Sequence, residues 1–176
     1  MPLLAERGAA VTTAEIAEAA GVAEGTIFTV FDDKASVVKA AFVDVLDPAP
    51  ALAAMSGIDR TLPLEGQVLA AVRILIDRGA DVVAVAAALR ALPPPKEHDT
   101  GIVDAARDAA GRIQLALSGL LESHAPDLRL QPAAVATAIQ ALVWHSSHAM
   151  AANPIDAESI TDIVLHGSLR PEARPC

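Results

Sequence analysis

Residues 11–31 read VTTAEIAEAAGVAEGTIFTVF, and this stretch decides how the N-terminal part of the chain folds. Gly21 divides it in two and can adopt the left-handed backbone that a three-residue turn requires. Thr12 stands three residues before Glu15, which is the spacing of a capping box at a helix start. Apolar residues recur at the spacing that packs two short helices at a steep angle: Ile16, Ala20, Val22, Ile27 and Val30. The stretch therefore predicts a helix-turn-helix.

The rest of the chain has a composition typical of packed helices. Its 176 residues are 53% hydrophobic and only 2% aromatic, and much of the hydrophobic share is alanine, the best helix former. Because no alternating strand pattern is present, we predict an all-α fold. Gly79 is expected to end one helix, and residues 47–63, with three prolines, to form a connector with room for one short turn. The predicted helices are 13–19, 23–30, 34–46, 64–78, 81–92, 101–123, 132–152 and 157–169.

The sequence also favours a cytoplasmic location. No apolar run reaches the ~18–20 residues that cross a membrane. The N-terminus lacks the basic region and continuous apolar core of a secretory signal. A single cysteine, Cys176, cannot form an intrachain disulfide, which fits a reducing compartment.

Residues 12–42, TTAEIAEAAGVAEGTIFTVFDDKASVVKAAF, resemble the DNA-binding region of TetR-type (tetracycline-repressor-like) bacterial transcriptional regulators. The resemblance extends over roughly Leu3 to Phe42 by motif, and over the remainder by length and helical character. It implies a three-helix DNA-binding domain at residues 1–46 and a helical effector-binding and dimerisation domain at 47–170. The tail, 171–176, is expected to be disordered. The matching residues are Thr13, Ile16, Ala17, Ala20, Gly21, Val22, Gly25, Thr26, Phe28, Phe31 and Lys34.

The resemblance implies that the helix after Gly21 enters the major groove of operator DNA. Such an approach needs short side chains near the helix start, and Thr26 could reach a phosphate or a thymine methyl group. In the family, the position of Phe28 usually holds a tyrosine that touches a phosphate, and that of Lys34 binds the DNA backbone. The alternative is that Phe28 and Phe31 are core residues and Lys34 is solvated. The predicted DNA-contacting residues are Thr12, Thr13, Ala23, Glu24, Gly25, Thr26, Phe28, Thr29 and Lys34.

Two features oppose tight DNA binding. The net charge is −9, and residues 1–46 hold three basic and seven acidic side chains, a net charge of −4. Phosphate neutralisation supplies much of DNA affinity, although helix N-termini also contact phosphates. Leu3, Leu4 and Arg7 match only the end of the family's first helix, so either the start codon is placed too late or that helix is natively short. The alternative function is a helical small-molecule sensor or protein-interaction module with weak or lost DNA binding.

In the family, the last two helices pair with those of a second copy. By that resemblance the predicted homodimer interface consists of Val135, Ile139, Leu142, Val143, Ser146, Met150, Ile160, Ile163 and Val164. The alternative is an intrachain core, and the two are not exclusive. Leu75, Trp144 and His148 are predicted to line a largely apolar pocket for an unidentified small-molecule effector, although a lone tryptophan is more often core filler.

The expected function is therefore a repressor that leaves its operator when the effector binds. We expect no cofactor and no metal, because the pairs His145–His148 and Asp162–His166 each lack a third ligand. No nucleophile triad, phosphate loop, cysteine pair or paired carboxylate site is legible, so we do not expect an enzyme. The expected partners are double-stranded operator DNA, the effector and a second copy of the chain, without a membrane.

Overall fold

The computed structural model describes Arg7 and residues 10–91, 100–147 and 153–168. No β-strand occurs among these residues, which confirms the predicted all-α fold. A short 3-10 helix, Ala125–Asp127, precedes the last two long elements. The α-helices whose bounds fall within the described part of the chain are α1 (Thr13–Ala20), α2 (Glu24–Val30), α3 (Lys34–Leu46), α4 (Ala49–Ser56), α5 (Leu64–Arg90), α6 (Thr100–Glu122), α7 (Pro132–Ser147) and α8 (Ala157–Ser168).

Helix α5 continues through Gly79, so the prediction of a helix end at this glycine is wrong. A glycine inside a helix costs about 1 kcal/mol relative to alanine, and a close contact explains why it is present. A Cβ atom placed on Gly79 would lie 2.8 Å from the Cβ of Ser147 in α7 and would also meet its hydroxyl. The glycine therefore lets α5 and α7 approach each other closely.

Helix α4 lies within the segment that was predicted to be a connector. Pro50 occupies its first turn, where a backbone N–H has no intrahelical partner to lose, so the proline does not break the helix. Ala51 and Met55, one turn apart, are buried. In the predicted connector, residues 47–48 and 57–63 link helices without regular structure. The segment therefore contains a helix of eight residues, longer than the one short turn that the prediction allowed.

The chain forms two compact units. The first, the head unit, contains the described residues of Met1–Asp47 and Asp81–Arg107, and the second, the body unit, those of Pro48–Ala80 and Asp108–Cys176. Helices α5 and α6 each contribute residues to both units. The body unit has the larger core, which includes Val68, Val72, Leu75, Leu117, Leu120, Leu121, Val135, Ile139, Val143, Ile160 and Val164.

The head unit has two smaller apolar clusters. One gathers around Phe42 and includes Val11, Val38, Leu46, Val82 and Val85. The other consists of Ala17, Ile27 and Val37, with Ile16 and Phe31 packed against it, and holds α1, α2 and α3 together. Within the described residues, no helix is both long enough and apolar enough to cross a bilayer.

Candidate DNA-binding site

The start of α1 is held by the predicted capping box. The Thr12 hydroxyl accepts a hydrogen bond from the Glu15 N–H at 3.2 Å, and the Glu15 carboxylate accepts one from the Thr12 N–H at 2.8 Å. The hydrogen bonds that the Thr12 N–H and the Thr12 hydroxyl donate to this carboxylate, together with the ion pair to Arg7, hold the pKa of Glu15 below its ordinary value. The capping box is confirmed, and it engages the Thr12 hydroxyl within the chain.

The turn between α1 and α2 has the conformation predicted for Gly21. Its φ is +69° and its ψ is 28°, the left-handed region that favours glycine. The Gly21 N–H donates to the Glu18 carbonyl at 3.1 Å, and the Val22 N–H donates to the Ala17 carbonyl at 3.0 Å. No atom lies within 4 Å of a Cβ placed on Gly21, so the backbone dihedral alone requires the glycine.

Helix α2 is exposed on all sides but one. Ile27 is its only buried residue, and it packs against Ala17 of α1 and Val37 of α3. Ala23, predicted as its first residue, is instead the N-cap, in extended conformation. The structure thus confirms a short helix after Gly21, and this helix contacts α1 and α3 through one buried side chain while its other sides are exposed.

The surface of α2 is largely apolar. Val30 is 72% exposed and Phe28 is 51% exposed, so the core alternative does not apply to Phe28, whereas Phe31 packs partly against the cluster of Ile27. The Thr29 hydroxyl donates to the Thr26 carbonyl at 2.6 Å. Gly25 faces open space. Gly25, Thr26, Phe28, Thr29 and Val30 are therefore exposed to solvent, whereas Phe31 is half-buried.

A hydrogen bond links the first turns of α1 and α2. The Thr13 hydroxyl donates to a Glu24 carboxylate oxygen at 2.6 Å. Both residues were predicted to contact DNA, but their mutual bond was not foreseen, because it depends on how the Gly21 turn brings the two helix starts together. The bond uses the proton that Thr13 would otherwise offer to a phosphate, and it keeps a negative charge at this site.

Helix α3 begins at Lys34, which is half-buried. Asp33 caps the helix by accepting a hydrogen bond from the Ser36 N–H at 2.8 Å. Lys39 lies five residues further along the same helix and therefore points about 140° away from Lys34. The two lysines present their charges to different sides of α3.

Most residues predicted for the dimer interface lie in the core of the body unit. Leu142 is half-buried against that core, and the Ser146 hydroxyl accepts a hydrogen bond from the Ile155 N–H at 3.2 Å. Ile163 is 51% exposed, and Met150 lies outside the described residues. Because each of the following side chains is less than one-tenth exposed within a single chain, this structure matches the intrachain alternative for Val135, Ile139, Val143, Ile160 and Val164.

The residues predicted for an effector pocket differ in their exposure. Leu75 is buried in the core of the body unit, whereas Trp144 is 58% exposed, and His148 lies outside the described residues.

Sequence reasoning missed Gln67, which is 1% exposed. Its Nε2 donates to the Leu62 carbonyl at 2.7 Å, while its Oε1 is buried with no hydrogen-bond partner among the described residues. In the sequence, the one indication that Gln67 is buried is its neighbour Val68, which belongs to the apolar stripe of α5.

Potential metal ligands do not cluster in the described residues. Nowhere among them do three His, Cys, Asp or Glu side chains come together as a site for a metal ion. The Asp162–His166 pair is present as a contact of 2.7 Å on the exposed side of α8. This pair therefore has two potential ligands and no third within the described part of the chain.

Comparison with known proteins adds independent information. Residues 1–41 match the sequence model of the bacterial regulatory proteins of the tetR family. A comparison with curated protein sequences finds no match. The fold is similar to that of the TetR transcriptional regulator SCO0520 from Streptomyces coelicolor, with 24% identity, a TM-score of 0.61, and coverage of 97% of this chain and 94% of that one.

Two further solved structures are similar in fold. One is NalD, the secondary repressor of the MexAB-OprM multidrug efflux pump in Pseudomonas aeruginosa, with 19% identity, a TM-score of 0.55, and coverage of 97% of this chain and 93% of that one. The other is a TetR-family transcriptional regulator from Rhodococcus sp., with 20% identity, a TM-score of 0.56, and coverage of 93% and 89%. At these low identities, the TM-scores and the coverage show a likeness of fold alone.

Proposed function

We propose that the chain is a transcriptional regulator of the TetR family, and that it is a homodimeric repressor that a small-molecule effector releases from operator DNA. In this proposal, residues 1–46 bind DNA, residues 47–170 bind the effector and dimerise, and the protein acts in the cytoplasm. The exposure of α2 carries the proposal, because a helix that buries only Ile27 can enter a major groove without unfolding its support.

The proposed DNA contacts lie on the starts of three helices and on the outer side of α2. Ala23 and Gly25 are small enough to let the backbone approach the bases, while Thr26, Phe28 and Thr29 are exposed beside them. Glu24 and Thr13 reach DNA only if their hydrogen bond rearranges or accepts a third partner. Thr12 and Lys34 lie at the first turns of α1 and α3, where phosphates are favoured.

Replacement of Lys34 tests the phosphate contact. We expect Lys34→Ala to weaken operator binding and to lower the slope of log affinity against log salt by about one unit, since one phosphate contact is lost. Lys39→Ala is the matched control, because it removes the same charge from the same helix on a different side. Affinity and slope measured by fluorescence anisotropy over a salt series distinguish them. Equal effects of the two variants would contradict the assigned contact.

Dimerisation is proposed to use exposed apolar side chains of α7 and α8. Trp144 and Ile163 are more than half exposed although both helices contribute to the body core. A dimer would present two α2 helices to successive major grooves, about 34–36 Å apart. Sedimentation should show that Ile163→Glu produces monomers, whereas Leu115→Glu, at a 74% exposed position on α6, leaves the dimer intact. A dimer that survives Ile163→Glu would exclude this surface.

Effector binding is proposed for the body unit, near α5. The buried Gln67 Oε1 without a partner supports this, because such an acceptor is costly unless a donor fills it. An apolar molecule with one hydrogen-bond donor would match it. Trp144 emission gives a screen for binding. A compound found in that screen should lower DNA affinity in the wild type and have a weaker effect on Gln67→Leu, and an equal effect on both would remove Gln67 from the site.

The acidic head unit supports a second candidate function, a small-molecule sensor without effective DNA binding. Residues 1–46 carry a net charge of −4, and Glu24 holds the Thr13 hydroxyl. A mobility shift at low salt against the DNA flanking its own gene separates the two functions. Binding by the wild type supports the repressor. The sensor function would be supported if DNA were bound by none of three proteins: the wild type, Glu24→Gln and an N-terminally extended chain.

A further inference from the structure

The exposed side of α2 offers apolar surface and no cationic group. None of residues 22–31 is lysine or arginine. Guanine is read in the major groove chiefly through hydrogen bonds from arginine or lysine to its O6 and N7 atoms. The only ionisable group on α2 is Glu24, whose carboxylate would repel those acceptors. Helix α2 therefore lacks the cationic side chains that usually read guanine.

Side-chain geometry further restricts what α2 can recognise. At about 100° per residue, Gly25 and Thr29 lie opposite the buried Ile27, Thr26 and Val30 form one flank, and Glu24 and Phe28 form the other. The Thr29 proton is already donated to the Thr26 carbonyl, so this hydroxyl has no proton to offer a base. Val30, at 72% exposure, and Phe28, at 51%, add apolar surface to both flanks.

We propose that α2 recognises thymine methyl groups through Val30 and Phe28, and that guanine edges are not contacted by its side chains. The thymine methyl is the apolar feature of the major groove, and apolar side chains are its usual partners. This inference rests on the proposed DNA-binding function and states the base chemistry of the same site. The operator half-site is accordingly rich in thymine where the helix docks.

Single-atom changes in the DNA test this proposal. Sequences are first selected from random duplexes with the purified full-length protein at low salt. Each thymine of the selected site is then replaced by deoxyuridine, which lacks only the methyl group, and each guanine by 7-deazaguanine, which lacks the N7 acceptor. We expect a loss of about fourfold for each contacted methyl, the effect of exposing one methyl-sized group, and no loss for the deazaguanines.

A protein variant assigns the methyl contact to its side chain. Val30→Ala should weaken binding to the thymine site, and its affinity should no longer fall when the contacted thymine becomes deoxyuridine. Val43→Ala, at a 38% exposed position on α3 in the same unit, should retain the full thymine-to-deoxyuridine difference. Circular dichroism of the two variants should be unchanged, because neither side chain is buried.

The outcomes separate the inference from the proposed function. Affinity for deoxyuridine sites equal to that for thymine sites, or a large loss with 7-deazaguanine, would overturn the inference and leave DNA binding intact. Absence of binding to any duplex at low salt would overturn the proposed function and the inference with it. A change in self-association of Val30→Ala without DNA would assign this side of α2 to a second copy of the chain.

Discussion

Helices α2 and α7 are both rich in small and apolar residues, yet they are held in opposite ways. Helix α2 buries one residue, Ile27, and depends on the Gly21 turn before it. Helix α7 buries Val135, Ile139 and Val143 in the large core of the body unit. The conformation of the Gly21 turn thus positions the exposed helix α2, whereas side-chain packing positions the buried helix α7. Substitutions should therefore affect binding in the first helix and stability in the second.

The largest expected effect is in the core beside α7. Ile139 is fully buried, so Ile139→Ala should lower the free energy of unfolding by about 2–5 kcal/mol through lost burial and a cavity. Leu115→Ala, at a 74% exposed position of α6 outside the proposed dimer interface, removes the same number of carbon atoms and should change it by less than about 0.5 kcal/mol. Urea unfolding at fixed protein concentration measures both values. Similar losses for the two variants would show that burial does not distinguish these helices.

The contact between Gly79 and Ser147 should give the next largest effect. Gly79→Ala places a Cβ 2.8 Å from the Ser147 Cβ, and we expect a loss of about 1–3 kcal/mol from overpacking. Gly111→Ala, within α6 and without any atom near the added Cβ, should instead stabilise by about 0.5–1 kcal/mol. Adding Ser147→Gly should reduce the loss in Gly79→Ala. If Gly79→Ala stabilised the protein as Gly111→Ala does, α5 and α7 would be able to move apart without loss of free energy of unfolding.

A smaller effect is expected at Gly21, where only the backbone conformation requires a glycine. Gly21→Ala should destabilise the head unit by about 1 kcal/mol, because alanine disfavours the positive φ although space is open around it. Gly21→Asn should lose less, since asparagine tolerates this region better. Hydrogen exchange of the α1 and α2 amides reports the change. An equal loss for alanine and asparagine would point to a cause other than the dihedral angle.

The smallest effect should appear as a pH dependence of the capping box. The pKa of Glu15 is lowered by its hydrogen bonds from Thr12 and by the nearby Arg7. Its contribution to stability is therefore fully present above the ordinary pKa of 4.5 and is lost as the pH falls through the lower pKa of the folded state. Glu15→Gln should lower Tm most above pH 4.5, and the difference should shrink below it. A difference independent of pH would exclude the carboxylate charge as its source.

Sequence reasoning was most accurate where structure depends on neighbouring residues. The capping box, the left-handed Gly21 and the bounds of Lys34–Leu46 were predicted because each depends on residues a few positions apart. The same reasoning failed at Gly79, because the reason for that glycine is a serine on another helix. It also missed the Thr13–Glu24 hydrogen bond, which forms only after the turn has folded.

The helical pattern of the chain follows from its alanine-rich composition, its caps and its turn glycine, since these act over one or two turns of backbone. That pattern does not predict whether an apolar stripe packs against a helix of the same chain or against a second chain. A 3.6-residue period identifies a face that avoids water, but the same face fits a neighbouring helix or a second chain equally well. Packing assigned Ile139 and Val143 to the interior and left Trp144 and Ile163 at the surface, because only a folded arrangement determines which apolar atoms are already covered.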